Sequence, residues 1–153
     1  MIGFFITTCV KFNFTHMAWL RFNRFSRTIE LFSGSSVGAK MCSMYKWDAH
    51  NDTASTSGGS WPVGTYRWSH YNPHKEVGMG PACLVTAYGC NGIHVFDVQG
   101  RSGMGVHAGR MNFRSPTSPL GGKTLGCVRV IDEAMTAINS MHNIDPLEAI
   151  VIE

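Results

Sequence analysis

Glycine divides this sequence into short segments, and no other feature limits the possible folds as strongly. The 153 residues include 17 glycines, and the stretches between them carry many of the 9 phenylalanines, 4 tryptophans and 4 tyrosines. Aromatic residues favour strands, whereas glycine favours tight turns. The pattern therefore predicts a mainly β fold with many turns and little helix.

Local patterns place the strands and one helix. The predicted strands, chosen by alternation or by short apolar runs between turn residues, are 19–25, 28–32, 37–47, 65–69, 83–88, 93–98 and 147–152. One helix is predicted from Asp132 to His142, because Ile131, Met135 and Ile138 recur at helical spacing. Asp132 is of a residue type that caps helix N-termini.

Chain length and charge limit the domain organisation and the partners. Met17 begins a natural first strand, so residues 1–16 are interpreted as a disordered extension or a misplaced start, and residues 17–153 as a single domain. Charged residues make up only 15% of the chain, with no basic run typical of nucleic-acid binding and no apolar stretch that could span a membrane. The first ten residues do not form a convincing signal peptide.

The five cysteines do not form a metal-binding or thioredoxin-like motif. They are Cys9, Cys42, Cys83, Cys90 and Cys127, and none belongs to a C-x-x-C pair. A bond between Cys83 and Cys90 is conceivable across a strand end. The favoured interpretation is that Cys42, Cys83 and Cys90 are small buried apolar residues.

The segment 105–129 carries the candidate chemistry. It begins Gly-Val-His107-Ala-Gly-Arg110 and ends Thr124-Leu-Gly-Cys127-Val-Arg129. A cysteine becomes a strong nucleophile when a nearby imidazole takes its proton. His107 is the candidate base, and backbone N–H groups at Gly126 and Cys127 are candidate donors to an oxyanion.

The spacing within this segment resembles the signature of the L,D-transpeptidase (YkuD-like) family. That signature has a His after a strand, a loop of about 14–17 residues and then Ser/Thr-x-Gly-Cys-Ile/Val-Arg. Here residues 108–123 separate His107 from Thr124, and Thr124 to Arg129 match the motif. Residues 62–66 (Pro-Val-Gly-Thr-Tyr) and Gly80-Pro81 are similar to further family features. The family usually has Gly where this chain has Ala108, and many members have His where it has Leu125.

The resemblance implies a fold and a reaction. The fold would be a YkuD-like mixed β-sandwich with one principal helix after the cysteine motif. Cys127 would form a thioester on a peptidoglycan tetrapeptide stem and release D-alanine, and His107 would transfer protons before an amine takes the acyl group. No cofactor or metal is implied, and the enzyme would act outside the cytoplasm by an unknown export route.

The resemblance also suggests roles for the surrounding residues. Gly126, Thr124 and Leu125 would shape the oxyanion turn. The residues expected to position substrate are Arg129, Arg110, Tyr66 and Tyr71.

Several alternatives remain open from the sequence. The same site would act as an L,D-carboxypeptidase with water, or as an exchange enzyme with a D-amino acid, and the protein would then fit a secreted antibacterial effector. A catalytically dead wall-binding module is another possibility. A sortase is disfavoured because Gly precedes Cys127 and Arg129 is too close to it. A zinc site at His70 and His74 is disfavoured because Pro73 lies between them.

Overall fold

The computed structural model describes residues 17–40, 42–74, 81–110 and 122–153. The predicted extension 1–16 lies outside these residues. The eight strands are β1 (Ala18–Asn23), β2 (Thr28–Ser33), β3 (Tyr45–His50), β4 (Gly64–Asn72), β5 (Ile93–Phe96), β6 (Gly105–His107), β7 (Val128–Val130) and β8 (Leu147–Ile152). The helices are a 3₁₀ helix, Pro81–Val85, and one α-helix, α1 (Asp132–Ile144).

The strands close into a barrel in the order β1-β2-β3-β7-β6-β5-β4-β8. The mainly β prediction with one principal helix is confirmed, although the sheet closes on itself where a sandwich was expected. Two neighbouring pairs are parallel, β1 with β8 and β6 with β7, and the other pairs are antiparallel. Closure leaves no long unpaired edge among these strands.

The barrel forms because strands from both ends of the chain carry buried apolar side chains. Leu20 of β1 faces Leu31 of β2 on one side and Ile150 of β8 on the other, and all three are fully buried. Trp61, which precedes β4, packs into the same core, as does Met135 of α1. Burying this apolar surface is the main stabilising contribution to the fold.

Helix α1 extends past its predicted end but is not capped as predicted. It begins at Asp132 and ends at Ile144, and Ile131 occupies the cap position without a side-chain hydrogen bond. The Asp132 carboxylate instead accepts hydrogen bonds from the Cys90 N–H at 2.9 Å and from Asn91 Nδ2 at 2.7 Å. Asp132 thus ties the helix to the chain before β5. The described residues include no helix long and apolar enough to cross a membrane.

Two predicted strands were wrong in whole or in part. The segment 37–47 becomes strand only from Tyr45, and β3 continues to His50 because it pairs with both β2 and β7. The segment 83–88 is not a strand, because Cys83 and Cys90 form a disulfide that closes a tight loop. The interpretation of these cysteines as buried apolar residues was wrong: Cys90 is exposed, Cys83 is half-buried and Cys42 is exposed.

Candidate active site

Strands β6 and β7 place His107 and Cys127 within range of the same charge, that of Arg129. In this parallel pair His107 lies opposite Arg129, and Val106 lies opposite Val128. Opposed side chains share a face of the sheet, as do side chains two residues apart along an extended chain. Cys127 immediately precedes β7, two residues before Arg129, and an extended backbone there would place its side chain on the same face. The Arg129 charge accordingly lowers the pKa of both His107 and Cys127.

His107 is held as a neutral imidazole. Its side chain is buried, and Nδ1 lies 2.6 Å from the Ala108 carbonyl oxygen. Because a carbonyl only accepts hydrogen bonds, Nδ1 carries the proton and Nε2 is left with a lone pair. Burial lowers the pKa of His107 to about 4, against the opposing effect of the Ala108 hydrogen bond. The imidazole is therefore a proton acceptor at neutral pH.

Cys127 rests as a thiol. Burial raises its pKa above the ordinary value, while a backbone hydrogen bond from Gly105 and the charges of Arg129 and Arg101 lower it. The sulfur lies 3.5 Å from the Gly103 carbonyl oxygen, to which the thiol donates. The pair therefore needs proton transfer from sulfur to imidazole as part of the reaction, which is the task of a general base.

Thr124 and Asn51 hold the turn that presents the thiol. Thr124 Oγ1 donates to the Cys127 carbonyl at 2.9 Å and accepts from the Gly126 N–H at 3.1 Å. Asn51 Nδ2 donates to the carbonyls of Gly126 and Cys127 at 2.5 and 2.9 Å, and its Oδ1 accepts from the Trp61 N–H. The Gly126 N–H predicted as an oxyanion donor is therefore already used inside the motif. The Cys127 N–H is the candidate donor that remains.

The Arg101 guanidinium also packs against this turn. Its guanidinium donates to the carbonyls of Gly59, Ser60 and Leu125 at 2.9–3.2 Å, so it joins two loops. Gly126 has φ +134°, and a Cβ there would collide with the Arg101 guanidinium. Glycine is thus required both by the backbone conformation and by the space that Arg101 occupies.

Among the described residues, the buried cation Arg129 has no counter-ion. Only 2% of the residue is exposed, Nη1 donates to the Gly109 carbonyl at 2.9 Å, and Nε has no partner. Burial and the nearby charge of Arg110 lower its pKa to about 10. Within the described part of the chain no carboxylate pairs with Arg129. A buried, unpaired guanidinium is costly unless an anion joins it.

An open cleft of about 520 Å³ lies beside Gly103. Gly103, whose carbonyl accepts from the thiol, lines the cleft together with Arg101 and Asp97. The remaining lining residues are Ser69, His70, Val95, Phe96, Val98, Gln99 and Ser102.

The other predicted site residues have separate environments. Leu125 is exposed, and only its carbonyl is engaged, by Arg101. Arg110 is exposed, and its charge reaches His107 and Arg129. Tyr66 donates to the Pro62 carbonyl, and Tyr71 donates to the Asn91 carbonyl. The side-chain contacts of both tyrosines lie away from Cys127 and His107, and their role in substrate binding stays a prediction.

The histidines considered for zinc, His70 and His74, do not share a site with each other or with the buried His94. His94 is enclosed between Trp68 and Asn139, His74 stacks on Tyr88, and His70 is exposed beside Ser69. In the described ranges no group of three or more His, Cys, Asp or Glu residues is arranged to hold a metal.

Sequence reasoning missed Asn51, Arg101 and Tyr88. Asn51 and Arg101 contact the thiol turn across 76 and 24 residues of sequence, so no local pattern reveals them. The Tyr88 ring lies edge-on to the His107 ring at a centroid distance of 5.0 Å. The one sequence signal for Tyr88 was its position between Cys83 and Cys90, whose disulfide encloses it.

Comparison with known proteins identifies the fold. No family model and no curated protein sequence matches the chain. Among solved structures, the helical cell shape determining protein Pgp2 from Campylobacter jejuni superposes with a TM-score of 0.61 at 12% identity, over 95% of this chain and 50% of that one. An L,D-transpeptidase from Mycobacterium smegmatis superposes with a TM-score of 0.54 at 12% identity, over 90% and 59%.

A third structure, Bd1075 from Bdellovibrio bacteriovorus, has a TM-score of 0.58 at 18% identity, over 90% of this chain and 47% of that one. The chain thus spans between about half and three-fifths of the length of these three structures. It has the YkuD-type fold of the L,D-transpeptidases, as the sequence resemblance predicted.

Proposed function

We propose that this domain is a cysteine-dependent L,D-transpeptidase that acts on peptidoglycan stem peptides. The observation that carries the proposal is that the parallel pair β6–β7 sets His107 opposite Arg129, whose charge acts on both His107 and Cys127. A thiol, a neutral imidazole with an available Nε2 and a buried cation are the groups that acyl transfer from an anionic peptide requires. The fold that the chain shares with L,D-transpeptidases supports the same reaction class.

The reaction proceeds in two half-reactions. His107 Nε2 takes the Cys127 proton as sulfur attacks the carbonyl of the third residue in a tetrapeptide stem. The Cys127 N–H stabilises the tetrahedral oxyanion, and the imidazolium returns its proton to the departing amine of D-alanine. A thioester remains. An incoming amine then attacks it, loses its proton to His107 and takes the acyl group, while sulfur leaves and recovers a proton.

Arg129 and Arg110 give a positive charge to the part of the site that would bind the acyl-donor peptide. Arg129 is buried and lacks a carboxylate partner among the described residues, so a substrate carboxylate would relieve the cost of its burial. Arg110 is exposed at the edge of the same region. A diaminopimelate residue carries a free carboxylate on its side chain, and this carboxylate would pair with the two cations.

Hydrolysis is the second candidate reaction. The open cleft is lined by Gly103, whose carbonyl accepts from the Cys127 thiol, and it would give water a route towards the thioester. Water in place of the amine would make the domain an L,D-carboxypeptidase. The ratio of transfer to hydrolysis in the presence of an amine acceptor distinguishes the two reactions.

The disulfide supports the proposed location outside the cytoplasm. Bonds such as Cys83–Cys90 persist in oxidising compartments and are rare where thioredoxin and glutathione keep thiols reduced. Peptidoglycan lies in such a compartment.

Acylation by a carbapenem tests the nucleophile. We expect one covalent adduct on the intact protein, seen by mass spectrometry, because the β-lactam carbonyl would acylate the Cys127 thiol. Cys127→Ala should give no adduct, and His107→Ala should form it at least about a hundredfold more slowly, since general-base catalysis contributes that much. Tetrapeptide muropeptides with and without an amine acceptor then identify the product.

The matched control is Cys42→Ala, which removes an exposed cysteine elsewhere in the chain and should leave the adduct unchanged. A folded parent that forms no adduct and releases no D-alanine from tetrapeptides, while Cys127 still reacts with small thiol reagents, would overturn the proposal in favour of a wall-binding module.

A further inference from the structure

The disulfide loop lies directly against the strand that carries His107. Cys83 and Cys90 close the loop. Inside it, Thr86 Oγ1 donates to the Cys83 carbonyl at 2.8 Å and accepts from the Gly89 N–H at 3.1 Å. The covalent bond and these two hydrogen bonds give the loop one shape.

Backbone contacts join this loop to the residues after His107. The Arg110 N–H donates to the Thr86 carbonyl at 2.7 Å. Gly109 approaches so closely that a Cβ there would collide with backbone atoms of Thr86 and Gly89. The Gly109 carbonyl in turn accepts from Arg129. The loop therefore sets the position of the chain that follows the imidazole.

Tyr88 extends from this loop onto the imidazole itself. Its ring meets His107 edge-on at 5.0 Å and stacks on His74 at a centroid distance of 4.0 Å. Edge-on contacts of aromatic rings have a preferred geometry. The imidazole is thus fixed on one side by the Ala108 carbonyl and on another by the Tyr88 ring. The loop has a second anchor in the bond from the Cys90 N–H to Asp132 of α1.

We propose that Tyr88 is a positioning residue for His107 and that the Cys83–Cys90 disulfide holds it in place. This inference rests on the proposed function, since it assigns His107 the role of general base. Catalysis would then depend on the oxidised loop. A dithiol reductant would open the disulfide to two thiols, itself becoming a disulfide, and would release Tyr88 from the imidazole.

Two Tyr88 variants separate ring packing from the hydroxyl. Tyr88→Phe keeps the ring and should acylate with a carbapenem at the parent rate. Tyr88→Ala should acylate at least about tenfold more slowly, because small misplacements of a catalytic group are costly. Val85→Ala, an exposed position in the same loop, is the matched control and should leave the rate unchanged.

The pH dependence distinguishes positioning from simple loss of stability. The groups that act on His107 are Ala108, Arg129, Arg110 and His74, and burial keeps its pKa at about 4. Removing the Tyr88 ring admits water, so the pKa of His107 should rise towards its ordinary value. The acidic limb of the acylation rate should move to higher pH by the same amount, as should the NMR titration of the imidazole.

Reduction provides the second, independent arm. Dithiothreitol should slow acylation of the parent, although it protects the Cys127 thiol, and should leave the already slow double variant Cys83→Ala/Cys90→Ala unaffected. Rates and pH profiles equal to those of the untreated parent in Tyr88→Ala, the double variant and the reduced parent would overturn the inference. Should no variant and no parent form an adduct, the proposed function fails, and the NMR titration still decides whether Tyr88 sets the environment of His107.

Discussion

At the scale of single residues, the thiol depends on a turn whose conformation a side chain would disturb. Gly126 combines a positive φ with close contact to the Arg101 guanidinium, and its carbonyl accepts from Asn51. Thr124 satisfies the Gly126 N–H. Each backbone group of Gly126 therefore has a partner, and the direction of the Cys127 side chain follows from that arrangement.

Substituting Gly126 should affect activity more than stability. Gly126→Ala should lower the free energy of unfolding by about 1–2 kcal/mol, because a left-handed conformation is unfavourable for residues with a Cβ. It should also slow carbapenem acylation at least about tenfold, because displacing Arg101 moves the thiol. Urea unfolding and adduct kinetics measure both effects. Gly122→Ala, where a Cβ meets no atom within 4 Å, is the control, and equal acylation rates for the two variants would contradict the expectation.

The sequence predicted the candidate residues that share a motif, together with His107 at its spacing from that motif. Cys127, Thr124, Gly126 and Arg129 lie within six positions of one another, so their types and spacing are informative. Asn51 and Arg101 reach the same turn from distant loops, and their contacts depend on barrel closure. From the sequence alone, the Gly126 N–H was a candidate oxyanion donor. Its hydrogen bond to Thr124 Oγ1 depends on the rotamer of the Thr124 side chain, which the sequence does not specify.

At the scale of elements, a buried histidine joins β4, β5 and α1. Trp68 Nε1 donates to His94 Nδ1 at 3.2 Å, and His94 Nε2 lies 2.7 Å from Asn139 Oδ1. Both ring nitrogens are thus used by the neutral form. Burial lowers the pKa of His94 to about 4, and the charge of His142 acts in the same direction. Protonation would place two donors, His94 Nδ1–H and Trp68 Nε1–H, against each other.

Acid should therefore destabilise the fold through His94. The unfolded chain binds this proton near pH 6.5 and the folded chain only near pH 4, so stability falls as the pH decreases between these values. The loss should be on the order of 3 kcal/mol for His94, from 1.4 kcal/mol per pKa unit. Urea unfolding of the parent and of His94→Gln at several pH values measures it.

His107 shares the lowered pKa and contributes a parallel loss in both proteins, so the difference between them isolates His94. His70→Gln, on the exposed part of β4, serves as control. Identical pH slopes for His94→Gln and the parent would show that the tie between β4, β5 and α1 does not depend on the charge of this ring.

Sequence patterns predicted elements well where one face alternates or repeats, and poorly where covalent or long-range pairing decides. The closing strand 147–152 matches β8, and the predicted helix matches α1 except for its last turn. The segment 83–88 reads as an apolar strand, but the disulfide and the approach of Gly109 turn it into a loop. The sequence gives the positions of both cysteines along the chain but not the distance between their sulfur atoms in the folded protein.

At the scale of the whole molecule, β8 completes the barrel. It lies between β1, with which it is parallel, and β4, with which it is antiparallel. Ile150 faces Leu20 on one side and Tyr66 on the other, and it is fully buried. The far end of the chain therefore joins its first strand to its middle.

Truncating Ile150 should weaken the entire fold. Ile150→Ala should lower the free energy of unfolding by about 2–5 kcal/mol, because it leaves a cavity where three strands meet. Ile144→Ala, at an exposed position at the end of α1, should cost little. The urea midpoint measures both. A loss below about 1 kcal/mol for Ile150→Ala would mean that the barrel closes without close packing along β8.

The parallel pairing of β6 with β7 has a consequence for how such a domain can diversify. His107 and Arg129 are aligned by hydrogen bonding between neighbouring strands, and that alignment does not depend on the length of the connection between the strands. Insertions or exchanges within the connection would therefore leave His107 in register with the strand that follows Cys127. Evolution, or a protein engineer grafting new segments at this point, can thus vary the connection without shifting these two strands relative to each other.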